Sequence, residues 1–164
     1  MTKLVAGKLI KLVPTRLVLV HLFKFFIAIF MLSCSKDVSP TIKNVYFSTI
    51  ANGDAGAYGF TESNVIIKDN VIWTDLKNQM NPHNLGLNNF SETNIDFNCY
   101  QIIAVFDKLY PYLGHEINIT KIIENNSHLI ISIEKKHTPT LLPATVQPYH
   151  IVKIKKTDKN IVFE

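Results

Sequence analysis

The chain has 164 residues, is 47% hydrophobic and carries a formal charge of +4. The positive excess sits at one end: Lys3, Lys8, Lys11, Arg16 and Lys24 precede Cys34 and no acidic residue does, leaving 12 Lys and Arg against 13 Asp and Glu in the remainder. A remainder so close to neutral gives no support for nucleic-acid binding. Two cysteines are too few for a secreted disulfide framework.

The N-terminal charges precede the apolar run 25–32, and His21 and Lys24 interrupt it upstream. Basic flanks orient such a run, and it is far shorter than the ~20 residues of a spanning helix. Met31-Leu32-Ser33 then leads into Cys34, followed by Ser35-Lys36-Asp37. This is the pattern of a bacterial lipoprotein signal peptide, although Met31 and Leu32 make its recognition box loose. The thiol of Cys34 would form a thioether to diacylglycerol, and cleavage would free its amine for another acyl chain. Several chains on one residue give stable anchoring where one would be marginal. The expected division is a signal peptide over 1–33, a flexible tether over 34–44 and a single domain over 45–164. The expected location is the bacterial cell envelope, lipid-anchored to the outer membrane on its periplasmic side or at the cell surface. The alternatives are an uncleaved anchor helix and a buried apolar helix with an incidental cysteine. Removing 33 residues leaves 131, enough to bury about two thirds of the unfolded surface.

Residues 45–50 (Val, Tyr, Phe, Ser, Thr, Ile) favour a first strand. The glycine-rich stretch 51–59 reads as a hairpin connection, since it lacks the Gly-Lys-Ser/Thr ending of a phosphate loop. A short strand at Val65-Ile66-Ile67 precedes Asp69 or Asn70, either of which can cap a helix. Ile72, Trp73, Leu76 and Met80 share one face of that helix, Pro82 ends it, and Trp73 is its core anchor. An irregular Asn-rich segment follows over 81–93. Residues 100–106 are an apolar run of strand length, interrupted only by Gln101, and predict the central strand, with Cys99 as a small buried side chain at its start. Residues 107–116 form a turn containing Pro111 and Gly114. Ile117, Ile119, Ile122 and Ile123, then Leu129, Ile131 and Ile133, flank Asn125-Asn126 and predict a hairpin. Pro139, Pro143 and Pro148 predict an extended edge segment. A strand over 149–155 should turn Val152 and Ile154 inward and Lys153 and Lys155 outward, before a last short strand over 161–163. With Lys156 and Lys159 these lysines form a basic stripe that would discourage edge pairing, with anionic sugars or lipid headgroups as a second reading. The fold class is therefore α+β, mainly β: one antiparallel β-rich domain with one main helix.

The order of features is Val65-Ile66-Ile67-Lys68-Asp69 running into a helix with Trp73 and Leu76, then Asp96-Phe97 entering an apolar strand. A Gly114 turn precedes the hairpin, and Gln147-Pro148-Tyr149-His150-Ile151-Val152 closes the series. This resembles the C-terminal domain of the PrcB family of protease complex subunits, over about residues 64–155. The family's turn is richer in glycine than Gly114-His115-Glu116. The resemblance implies a lipid-anchored accessory protein that supports a surface or secreted protease and has no catalytic residues of its own.

Independent catalytic signals are sparse. His83, His115, His128, His137 and His150 show no zinc spacing, although a β-fold could gather His115, His137 and His150. No G-x-S-x-G is present. Asp96, Asp107, Glu116, Glu124 and Glu134 could in principle supply a carboxylate pair for glycoside hydrolysis, but read more simply as solvated strand ends. No metal, cofactor or catalytic residue is expected. The leading expectation is a non-enzymatic interaction protein with the membrane and an envelope protein as partners, its contact surface at Gln147, Pro148, Tyr149 and His150. The alternative is a small-ligand or glycan-binding module, or a hydrolase, built on the loop 81–93, the Gly114 turn and Tyr149. Metabolic labelling with a fatty acid should mark the wild type and leave Cys34→Ala unmarked; equal labelling of the two would refute the lipid anchor.

Overall fold

The computed structural model describes residues 41–56, 59–81, 89–138 and 140–164. The expected signal peptide, Cys34 and most of the tether lie outside the described residues. Strand β1 (Lys43–Asn44) is followed by β2 (Ser48–Asp54), β3 (Ser63–Ile67), helix α1 (Asn70–Met80), β4 (Tyr100–Phe106) and β5 (Tyr110–Tyr112). Then come β6 (His115–Glu124), β7 (His128–His137), β8 (Pro143–Val146), β9 (Pro148–Lys155) and β10 (Asn160–Phe163). The result is the mainly-β α+β fold that the patterning indicates.

Strand β4 dictates the architecture. Its sequence is apolar at every position from Ile102 to Phe106, so both of its faces must be covered. It lies inside a sheet of order β2-β9-β4-β3. On one face, Ile102, Ala104 and Phe106 pack with Ile151 of β9 and with Trp73, Leu76 and Met80 of α1. On the other, Ile103, Val105, Val152 and Ile154 pack against Ile117, Ile119, Ile122, Leu129 and Ile131 of a second sheet, ordered β1-β6-β7-β10. Three layers follow: helix, central sheet, outer sheet. A two-stranded flap, β5 with β8, is added at one end.

Helix α1 begins where Asp69 Oδ1 accepts the backbone N–H groups of Val71 and Ile72, both at 2.9 Å. That satisfies two donors otherwise orphaned in the first turn. Trp73 is fully buried, and its indole N–H donates to the Thr93 carbonyl at 2.9 Å. Ile72, expected on the same face, is exposed. The buried stripe is 73, 76 and 80, which is spaced by three and four residues.

The outer sheet shows how a bulge reconciles a broken alternation. Ile117, Ile119 and Ile122 all face inward because the register shifts between Ile119 and Lys121. One extra residue in β6 resets the side-chain parity. At that bulge the Ile119 N–H leaves the ladder and donates to His150 Nδ1 on β9 at 2.9 Å. A backbone N–H can only donate, so Nδ1 is unprotonated and the neutral ring carries its proton on Nε2, 2.9 Å from Thr49 Oγ1. His150 thus fastens the central sheet to the outer one.

Several expectations are corrected. The first long strand is displaced: Asn52, Gly53 and Asp54 belong to β2, which pairs with β9 from Ser48↔Lys153 to Asp54↔Pro148. The stretch 51–59 therefore does not connect a hairpin, and β2 and β3 occupy opposite edges of the central sheet. Cys99 is exposed in a turn instead of buried in a strand, and Asp96 accepts the Asn98 N–H there. Strand β9 is internal, so its lysines do not guard an edge. Lys153 is half-buried on the helix side, paired with Glu92 and set over the Tyr100 ring. The extended proline segment contains β8, and Pro148, which has no N–H to give, opens β9. Strand β10 runs parallel to β7, the one parallel pairing among the described residues.

Burial lowers the pKa of His150. The unfolded chain therefore takes a proton below about pH 6.5 while the folded ring stays neutral, so stability is present above that pH and lost as pH falls. In urea titrations from pH 7.5 to 5, the wild type should lose more stability on acidification than His150→Gln. Parallel slopes would show that the ring does not couple folding to pH.

Candidate functional site

At the end of β4 the chain meets its one fully buried carboxylate among the described residues, Asp107, 1% exposed. Six apolar or amide side chains lead to it along β4, so the strand carries it into the interior. Three donors satisfy it. Lys135 Nζ of β7 lies 2.6 Å from Oδ1, the Lys108 N–H lies 2.9 Å from the same atom, and the Tyr110 hydroxyl lies 3.0 Å from Oδ2. Burial opposes the charge, but these bonds outweigh it and hold the Asp107 carboxyl below its ordinary value. Lys135, which also reaches Glu62 at 2.6 Å, is held well above its ordinary range, first by Asp107 and then by Glu62.

This cluster fixes the flap. The Tyr110 ring stacks on His115 at 3.5 Å between centroids, and His115 stacks on His137 at 4.2 Å, its register partner across β6 and β7. Gln147 closes the other side: its amide nitrogen donates to the Phe60 and Asp107 carbonyls at 2.8 and 2.9 Å, and its backbone N–H donates to Asp54 Oδ1 at 2.6 Å. Gly114, between β5 and β6, has φ +92°, and an added Cβ would lie 2.0 Å from the Thr138 carbonyl oxygen. Only glycine permits that approach.

Outward, the flap is apolar. Leu109, Tyr112, Leu113, Leu141 and Leu142 are all exposed, Leu141 to 94%. Each flap strand pairs only with the other among the described residues, leaving one free edge apiece. Beside the flap a cleft of about 330 Å³ is lined by Asn52, Asp54, His115, Glu116, Asn118 and Tyr149.

The structure redistributes the sequence-derived candidates. Gln147, Pro148, Tyr149 and His150, the expected contact surface, are all buried. They lie at or just before the start of an internal strand sandwiched between two layers, and of the four Tyr149 reaches the wall of the cleft. His115 and His137 do meet, whereas His150 is committed to Ile119 and Thr49. Among the described residues no group of three metal-ligating side chains is assembled. Of the five carboxylates considered, Glu124 pairs with Lys159 at 2.8 Å, Glu134 lies 3.5 Å from Lys136, Asp96 caps a turn, Asp107 is enclosed and Glu116 lines the cleft. The Gly114 turn and Tyr149 do share that cleft, while residues 90–93 pack elsewhere: Phe90 lies against Trp73, and the Ser91 N–H donates to the Ile50 carbonyl. Glu62, Tyr110 and Lys135 escape the sequence reading because their meeting depends on the pairing of β3 with β4 and on the packing of two sheets. A carboxylate ending a run of buried positions is the signal that points to Asp107.

Comparisons with family models, with curated proteins and with solved structures yield no match for this chain. No helix among the described residues is long and apolar enough to cross a membrane.

Gly114→Ala should cost at least ~2 kcal/mol of stability, from a non-glycine residue at positive φ together with a backbone clash. Hydrogen exchange should quicken first in β5, β8 and the adjoining ends of β6 and β7. An unchanged denaturation midpoint would refute the close approach.

Proposed function

We propose that this chain is a non-enzymatic, lipid-anchored accessory protein of the bacterial envelope, and that it binds another envelope protein through the β5–β8 flap. The observation that carries the reading is the flap's apolar exposure: Tyr112 on β5, and Leu109, Leu113, Leu141 and Leu142 in the segments next to the two short strands, are all exposed, and each strand has a free edge among the described residues. Exposed apolar side chains gathered around one small element are the kind of surface that marks an interaction site. A free strand edge flanked by such side chains suits an extended partner segment, with backbone bonds giving affinity and side chains giving selectivity. The enclosed state of Asp107 supports the same view, because its oxygens are already taken by Lys135, Lys108 and Tyr110. The resemblance to PrcB-type subunits suggests a surface or secreted protease as the partner. A second reading, a small-ligand or glycan-binding module, is favoured by the cleft that unites the Gly114 turn with Tyr149.

The test is co-purification from membranes in mild detergent with wild type and with Leu141→Asp/Leu142→Asp. Both side chains are exposed, so each substitution should change stability by no more than about 0.5 kcal/mol. The wild type should retain a specific partner that the variant loses, and deletion of the protein should lower secreted proteolysis. Undiminished capture by the variant, or no specific partner for either protein, would overturn the flap assignment.

A further inference from the structure

A second cleft, of about 590 Å³, lies at the opposite end of the central sheet, and its lining includes Lys43, Tyr46, Tyr100, Glu124, Lys155 and Lys156. It is electropositive. The Glu124 carboxylate is matched by Lys159 at 2.8 Å, and Lys153, also in the wall, is matched by Glu92. Among the described residues no carboxylate lies within ion-pair distance of Lys43, Lys155 or Lys156; Glu124, opposite Lys43 in the β1–β6 ladder, is held first by Lys159 and only at longer range by Lys43. Lys156 spends one donor on the Phe97 carbonyl at 2.7 Å, and all three lysines are exposed. Three ammonium groups around one cleft, in a chain that is close to neutral beyond residue 33, make a local site for an anion.

Its setting selects the anion. Lys43 lies nine positions after Cys34, so the intervening chain, even fully extended, spans no more than about 32 Å. Near Lys43, one apolar and one amphipathic side chain lie in water: the adjacent Ile42 is exposed, and Tyr46, three residues on, is 87% exposed. Tyrosine beside lysine is the pairing that settles at the level of lipid headgroups. Strand β4 starts at this cleft with Tyr100 and ends at the flap with Phe106, while β9 runs back from Pro148 at the flap to Lys155 at the cleft. The basic end and the apolar flap are thus opposite ends of the same two strands.

We infer that this cleft binds the phosphate of an anionic phospholipid headgroup in the membrane that carries the anchor. Lys43, Lys155 and Lys156 donate to the phosphate oxygens, and Tyr46 with Ile42 rests at the interface. The inference depends on the lipid-anchor reading and adds an orientation to it: the domain stands with the cleft against the membrane and the flap directed away.

The test uses the full lipidated chain in vesicles of phosphatidylcholine alone or of phosphatidylcholine with phosphatidylglycerol. Acetylation of each lysine is followed by mass spectrometry. In the anionic vesicles Lys43, Lys155 and Lys156 should react about fivefold more slowly than in neutral ones, while Lys68 and Lys108, which line no part of the cleft, react equally in both. Lys43→Gln/Lys155→Gln should abolish the protection remaining at Lys156. Equal reactivity at all lysines in a protein that floats with both vesicles overturns the headgroup site and leaves the anchor standing. Failure to float with either vesicle overturns both. A further arm adds inorganic phosphate to the neutral vesicles: protection equal to that given by phosphatidylglycerol would replace the membrane headgroup with a soluble phosphate ligand.

Discussion

Everything in this domain depends on the need to bury both faces of strands β4 and β9. A strand apolar on one face can end its sheet in water; one apolar on both must be sandwiched. Helix α1 supplies one cover through Trp73, Leu76 and Met80, and the β6–β7 hairpin supplies the other through its inward isoleucines. Most of the polar atoms that enter this interior are engaged by the fold, Gln101 Nε2 and Gln147 Oε1 being left without a partner. His150 joins two sheets, Asp107 joins β4 to β7 and the flap, and Gln147 bridges two backbone carbonyls. Polar groups so committed are spent on architecture, which moves the search for function to the periphery.

The periphery is divided by the same two strands. Since β4 and β9 are antiparallel, the turn side of one is the turn side of the other, and each end of the sheet collects its own loops. One end gathers the exposed leucines of the flap, and the other gathers lysines beside an exposed tyrosine. A rigid two-strand axis separates these surfaces by the length of a seven-residue strand, about 23 Å. The domain therefore has two chemically different ends.

Legibility in the sequence followed how local each signal was. Helix α1 was readable because its cap and its apolar stripe lie within a dozen residues, Asp69 to Met80; Pro82, expected as its stop, lies outside the described residues. So was the β6–β7 hairpin, with Asn125-Asn126 between two isoleucine-rich runs. What failed depended on partners far along the chain. Residues 51–54 look like a turn from their glycine and asparagine, yet β9 draws them into a ladder. Cys99 precedes an apolar strand but sits in the turn that Asp96 organises. The segment Gln147 to His150, which carries the family resemblance, has a composition that serves burial: an amide to bridge carbonyls, a proline to open a strand, an aromatic ring for the core and an imidazole to span two layers. The Asp107 cluster and the basic cleft needed the sheet order itself, which alternation along a single strand does not encode.

The placement of β9 also governs how the chain can fold. It occupies the middle of the central sheet but is nearly the last strand made, and its contact with β2 joins Thr49 to His150, 101 positions apart. Until β9 arrives, β2 has no neighbour in its sheet and β4 has a bare edge. The sheet therefore cannot close from its N-terminal half, and its long-range pairings put folding toward the slow end of the range for domains of this size. Strand order thus sets a waiting time during which an incomplete chain keeps its pairing edges open.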